Sequence, residues 1–178
     1  FTVMISPATF EQKIGFDRLR EQVAARCTMR AARERLAAEG FSTSAREIER
    51  RLALADEMRL LLDMEHDFPG GEYPDVDYIV AKLRVEGSFL DVEEVVTLRK
   101  ALAAIGGIVS FIISREERYP APHARTRGVA AFPEIVQRID GILDRFGQVK
   151  DNASPALQEI RRSIREREGQ AAKRLQAV

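Results

Sequence analysis

The chain has 178 residues, 45% hydrophobic and 31% charged. That is enough apolar mass for one sizeable domain, or one domain with a projecting arm, and it excludes a disordered chain. The 28 basic and 28 acidic residues cancel to a formal charge of zero, which excludes a global field pulling the molecule onto nucleic acid or an anionic membrane but leaves local patches open.

Phe1 to Val3 precede Met4 and are set outside the fold as a leader or appended remnant. Ser6 and Pro7 predict a helix start, because the hydroxyl accepts a first-turn N–H and proline at the first helical position gives up no bonded donor. Ile14, Phe16, Leu19 and Val23 give this helix one apolar face, Gly15 is its kink point, and the single cysteine, Cys27, is expected to be buried on it as a small hydrophobe. With no second cysteine, no intrachain disulfide can form. Thr28 predicts the cap of a second helix to Ala38, closed by Gly40 in a left-handed conformation. Ser44 and Glu47 form a capping box for a central helix reaching about Glu65, with a buried stripe of Ile48, Leu52, Ala55, Met58 and Leu62 that Leu54 and Leu61 widen.

Phe68, Pro69, Gly70, Gly71 and Pro74 predict a loop. Val76, Ile79, Val80 and Leu83 then mark a short helix ending near Gly87. Asp91 and Glu94 cap a long helix carrying Val95, Leu98, Leu102, Ile105, Val109 and Ile112. Inside it Gly106 and Gly107 each cost about 1 kcal/mol relative to alanine, so close helix packing is expected there. Tyr119 to Gly128 reads as a surface loop. Pro133 opens a helix that buries Ile135, Val136, Ile139 and Leu143 and that Gly147 ends. The extended segment Gly147–Asp151 is expected to be one strand of a small hairpin with no evident partner.

Ser154 and Pro155 start the last helix. Its apolar positions Leu157, Ile164, Ala171 and Val178 fall one heptad apart, flanked by Ile160 and Leu175, which gives a narrow, coiled-coil-like seam. Neither a capping glycine nor a proline closes it, so a chain cut in mid-helix is expected. The pattern predicts an all-α fold, an irregular helical bundle with a protruding C-terminal helix. Residues 4–146 form the helical core and 147–178 the connector and start of that helix. No apolar run reads as long enough to span a bilayer and no signal-peptide pattern opens the chain, so a cytoplasmic location is expected.

Catalytic, cofactor-binding and metal-binding residues are all expected to be absent. There is no Gly-x-x-x-x-Gly-Lys-Ser/Thr phosphate loop. His66 and His123 sit beside loop signals without an orienting acid and nucleophile. Asp63, Glu65, His66 and Asp67 are metal-type ligands, but adjacent helical residues diverge and cannot all face one ion. Glu93 and Glu94 suit the first turn of a helix. The strongest binding candidates are Arg161, Arg162, Arg165 and Lys173 of the last helix, which could meet phosphates or a partner. Interleaved glutamates, Glu166 opposite Arg162 among them, would neutralise much of that patch.

Gly147, Val149, Lys150, Asp151, Ala153, Ser154, Pro155, Leu157, Ile160 and Arg161 together resemble the approach to the lever helix in the MutS superfamily. The likeness is closest to the bacterial recombination-suppressing paralogue, MutS type two, which lacks the mismatch-reading domain. The segments Phe10–Cys27 and Val85–Leu102 are similar to that paralogue's opening helix and second landmark. The resemblance implies a non-catalytic core and lever-root piece, with Gly147, Asp151, Ser154 and Pro155 at the root. The parent would be a homodimeric, Mg-ATP-dependent DNA-binding ATPase of DNA repair and recombination control, often with a C-terminal endonuclease domain. Its clamp and ATPase domains would be this piece's partners, and branched DNA or stalled ribosomes its targets, with no membrane role. The alternative is a stand-alone helical adaptor whose terminal helix docks a partner helix.

Overall fold

The computed structural model describes residues 7, 9–71 and 73–176. Ser6, Phe1–Val3, Met4 and Val178, on which expectations above rest, lie outside the described residues. Among the described residues there are nine helices and no strand, which gives the expected all-α class: α1 (Phe10–Lys13), α2 (Phe16–Arg26), α3 (Arg30–Ala38), α4 (Ala45–Met64), α5 (Asp77–Leu83), α6 (Val92–Ile113), α7 (Pro120–Thr126), α8 (Pro133–Ile142) and α9 (Pro155–Gln176). Contacts divide the chain into two compact units, one of residues 1–75 and 104–131 and the other of residues 76–103 and 132–178. The boundary runs through α6, which contributes its first half to the second unit and its last half to the first.

In the first unit the opening helix begins at Phe10, not at Pro7, because the Pro7 carbonyl accepts the Phe10 N–H at 2.9 Å in a lead-in turn. Gly15 breaks it completely, at φ 73°, a left-handed conformation that glycine adopts without a Cβ penalty. Cys27 ends α2 half-buried, its thiol 3.4 Å from the Val23 carbonyl, so it is not the buried residue expected. Met29, not Thr28, precedes α3, and Glu39 closes that helix in an extended conformation without a left-handed Gly40. Arginine side chains explain the difference. Arg33 Nε donates to the Cys27 carbonyl at 2.9 Å, and Arg20 Nη1 donates to the carbonyls of Leu36 (3.0 Å) and Glu39 (2.5 Å), so the end of α3 is capped from a neighbouring helix.

Ser44 caps α4, its hydroxyl accepting from the Glu47 N–H at 3.4 Å. The return half of the expected capping box is replaced, the Ser44 N–H donating to Ser42 at 3.3 Å and Glu47 accepting from Arg50 and Arg51. The buried stripe is narrower than expected, keeping Met58 and the flanking Leu54 and Leu61 but not the other members. Leu61 is completely buried and Leu54 and Met58 are half-buried, while Ile48, Leu52 and Leu62 are exposed. Leu61 packs with Phe111, Ile112 and Tyr119, joined by Phe68 and Ile108, and Phe68 meets Phe111 edge-on at 5.3 Å.

The stretch expected as a surface loop from Tyr119 to Gly128 is α7, and both Tyr119 and Pro122 are fully buried. Pro120 stands at the first helical position, where its fixed φ suits a start. The Ala121 N–H is taken by Glu57 of α4 at 2.8 Å, a cap supplied from another helix that no local pattern reveals. Gly106 and Gly107 do not lie against helices. A Cβ on them would stand 3.8 Å from Ala131 and 3.7 Å from Pro69, ordinary van der Waals distances.

In the second unit Asp91 and Glu94 make a reciprocal capping box. The Glu94 N–H donates to Asp91 at 2.9 Å and the Asp91 N–H donates to Glu94 at 2.8 Å. Glu94 also accepts from Lys82 at 2.6 Å, which ties α5 to α6. Ile79, Ala101, Ile139 and Leu143 are buried, whereas Ile135, expected inside, is 40% exposed. Helix α6 is long and apolar enough to cross a membrane by length and composition. This corrects the expectation that no run reaches that length. Its residues Ala101, Phe111 and Ile112 are buried inside the units.

Two outcomes check the packing. Leu61→Ala should cost about 2–5 kcal/mol in urea unfolding and Ile48→Ala less than about 1 kcal/mol; equal losses would contradict the observed face of α4. Gly106→Ala should be neutral or raise stability by up to about 1 kcal/mol, since the methyl group would meet only Ala131, at an ordinary 3.8 Å.

Candidate functional site

The residues singled out for the root of the last helix converge around one turn. Asp144–Gly147 reverses the chain after α8. The Gly147 N–H donates to the Asp144 carbonyl at 3.0 Å, and Gly147 takes a left-handed φ of 77°. Leu143 pairs antiparallel with Val149, and two further bonds frame the turn, from the Asp144 N–H to the Gln148 carbonyl and from the Lys150 N–H to the Ile142 carbonyl, each at 2.8 Å. The segment expected as a strand instead makes a single antiparallel bridge, to the end of α8, and Gly147 shapes this turn rather than ending the helix. Leu143, not Gly147, terminates α8. A turn closed by a left-handed glycine is a common three-residue reversal, and Asp at its start with Gly at its end is a sequence signal for it.

Gly147 is confined on its packed side as well. A Cβ there would stand 3.0 Å from Val96 Cγ2 of α6. Arg99, one turn further along α6, forks onto Asp140 of α8 at 2.8 and 3.1 Å. Lys150 Nζ donates to the Asp140 carbonyl at 2.6 Å. The Arg99 guanidinium holds the Asp140 carboxyl below the usual range, and the pairing raises Arg99 in turn. Arg99, Asp140 and Val96 were not found from the sequence, because a pair separated by forty-one positions leaves no local trace.

The helix that follows is seated by its own first turns. Ser154 caps α9, its hydroxyl accepting from the Leu157 N–H at 3.2 Å, with Pro155 at the first helical position as expected. Asp151 is clasped by Arg161 and Arg165, and Arg161 also donates to the Val149 carbonyl at 3.0 Å. Bonding from Arg161, reinforced by Arg165, holds the Asp151 carboxyl below its ordinary value. Arg162 faces Glu166 at 3.3 Å, the expected i,i+4 pair, and Lys173 stands exposed. The four arginine and lysine candidates are thus separated. Arg161 and Arg165 turn back onto the root, while Arg162 and Lys173 face solvent. Beyond Arg161 every described side chain of α9 is exposed, and the seam residues Ile160, Ile164 and Leu175 are 57%, 48% and 79% exposed. The helix leaves its unit as a bare, capped rod.

The acidic group at the end of α4 is built into the first unit. Glu65 accepts from Arg115 (3.1 Å), Arg118 (2.8 Å) and Tyr119 (3.0 Å), Asp67 pairs with Arg115, and Asp63 with Arg59. Burial pushes the Glu65 carboxyl up, but Tyr119 and the two guanidiniums outweigh it and leave the value lowered. His123 lies 3.4 Å from Glu116, and His66 is exposed.

The geometry defines a helical segment ending on a solvent-exposed helix whose first turns are capped by Ser154 and clasped onto Asp151. No family model matches the chain. Curated relatives do. The endonuclease MutS2 of Symbiobacterium thermophilum is 30% identical over 162 residues, covering 91% of this chain and 20% of its own length. That of Thermomicrobium roseum is 28% identical over 166 residues, 92% of this chain and 21% of its own, and that of Pelotomaculum thermopropionicum is 27% identical over 167 residues, 94% and 21%. The chain belongs with the MutS type-two paralogues, as the Gly147–Arg161 motif indicated, and it spans about a fifth of the length of the curated relatives it matches.

Gly147→Ala should lose about 1–2 kcal/mol through left-handed strain and contact with Val96. Adding Val96→Ala should restore only part of the loss, because the φ penalty remains, and full rescue would contradict the turn assignment. For Asp151 the folded pKa lies below the unfolded one. Its stabilisation is therefore complete above the unfolded value of about 4 and is lost as pH falls through the lowered folded value. Carboxyl NMR titration should show a depressed midpoint that Arg161→Gln moves back up.

Proposed function

We propose that this chain is a non-catalytic core and lever-root segment of a MutS-family DNA-binding ATPase, with residues 4–146 supplying the core and 147–178 the connector and start of the lever. Nucleotide-driven motion in the parent would pass through the root to a clamp. The observation that carries this is the seating of α9, in which cap, clasp and turn hold the first turns rigid while the rest of the rod is bare. A rod transmits displacement only if its base cannot hinge. The resemblance and the MutS2 relatives support the assignment to the parent.

Within this proposal ATP and Mg belong to other parts of the parent, because the 178 residues hold no phosphate-loop pattern. The parent is a cytoplasmic homodimer acting in DNA repair and recombination control, on branched DNA or stalled ribosomes, with an endonuclease domain as its relatives' names suggest. The alternative, a stand-alone adaptor docking a partner helix, rests on the same exposed seam.

The test uses the full-length parent with spin labels on the core and at Ala171. Nucleotide should shift the label separation in the wild type. The pair Arg161→Ala with Arg165→Ala should abolish the shift while ATP hydrolysis persists. An unchanged shift would contradict transmission through the root. The 178-residue chain alone should hydrolyse ATP only at background, and turnover that co-purifies with it would overturn the non-catalytic assignment.

A further inference from the structure

Beside the lever root the second unit carries a feature that the transmission proposal does not use. A cleft of about 480 Å³ opens between α6, the end of α8 and the turn after it, and six charged residues line it: Arg99, Lys100, Asp140, Asp144, Arg145 and Lys150. Four are cations, and both carboxylates are already engaged. Asp140 is gripped by the Arg99 fork. Asp144 accepts the backbone N–H groups of Phe146 and Gln148 at 2.8 and 2.9 Å. Lys100 and Arg145 form no ion pair among the described residues. Lys150 spends one donor on the Asp140 carbonyl and keeps two. The lining therefore carries four cations against two carboxylates, of which Asp140 is ion-paired and Asp144 keeps its charge, in a chain of zero net charge.

Next in the chain to the lining residues Arg145 and Gly147 is Phe146, 73% exposed. The ring is not on a loose loop. The Asp144 side chain holds the Phe146 N–H, Gly147 fixes the next corner, and the Arg145 guanidinium lies 4.7 Å over the ring. An anchored aromatic face beside a cationic trough is how a stacked base and its flanking phosphates are held without base-edge readout.

We propose that this cleft binds a single strand of nucleic acid, with phosphates on Lys100, Arg145 and Lys150 and a base stacked on Phe146. A single strand fits better than a duplex, because paired bases turn their faces toward their neighbours and cannot cover an outlying ring. An acidic peptide would meet the cations but leave the ring without a flat partner. The inference stands on the cleft alone and does not depend on transmission through the root.

The test titrates the chain into fluorescein-labelled oligo-dT and oligo-rU of about 15 nucleotides, reading anisotropy. Binding is expected at low salt, with log affinity falling against log salt at a slope of about −2 for three phosphates. Lys100→Glu with Arg145→Glu should weaken it about tenfold or more. Phe146→Ala should weaken it by roughly fivefold to a hundredfold. Arg162→Glu with Lys173→Glu on α9 should change it little. Melting curves check that the variants fold, and Lys100→Gln with Arg145→Gln replaces any that do not. Absence of binding at low salt, or binding indifferent to the cleft variants, overturns the site. Competition by inorganic triphosphate, polyglutamate or a duplex as strong as by unlabelled single strand overturns the ligand. A failed lever experiment with intact oligonucleotide binding leaves this inference standing, and the reverse result leaves the lever.

Discussion

Asp151 is the point on which the last helix depends. Its carboxylate takes two guanidiniums from successive turns of α9, Arg161 and Arg165, while its neighbour Lys150 bonds backward to Ile142 and Asp140. One short segment thus belongs to the hairpin on its N-terminal side and to the helix on its C-terminal side. An isolated helix in water is marginal and frays from its ends. Here the first end is fixed by a hydroxyl cap, a proline and a charge-assisted clasp, so an otherwise bare helix starts from a defined direction.

The turn before it gives that segment its own footing. Gly147 is admitted by two separate constraints, a positive φ and a Cβ-free approach to Val96, so the root is registered against α6 as well as α8. Arg99 and Asp140 join the same two helices a short distance away. Apolar contact through Leu143 and Ile139 and polar contact through the fork act together, which is why the second unit can end on an exposed helix without a large core. The cleft arises from the same construction, since the Arg99 fork takes Asp140 and the N–H groups of the turn take Asp144.

Much of this was legible in the sequence wherever the determinant is local. Ser44 with Glu47, Asp91 with Glu94, Pro133, and Ser154 with Pro155 each announce a helix start through chemistry within three or four residues, and all four held. What failed was largely long-range, although the local helix starts read at Pro7 and Thr28 and the helix end read at Gly147 also missed. The leucines of α4 lie on several faces, so periodicity alone could not choose Leu61 over Leu62, which only packing on Phe111 and Tyr119 decides. Tyr119–Gly128 looked like a loop because its helix cap, Glu57, comes from another helix. The same is true of α3, whose closing donor is Arg20 and not Gly40. At the root, the residues of the continuous motif were found, while Val96, Arg99 and Asp140, which hold that motif in place, were not.

Amide hydrogen exchange at the root tests the central claim most directly. If α9 is seated as described, the N–H groups of Lys150, Leu157 and Gln158 exchange as slowly as those of α8, and Asp151→Ala accelerates all three together. If instead they exchange at the rate of a freely fraying peptide in the unaltered chain, the last helix has no fixed base and the account fails.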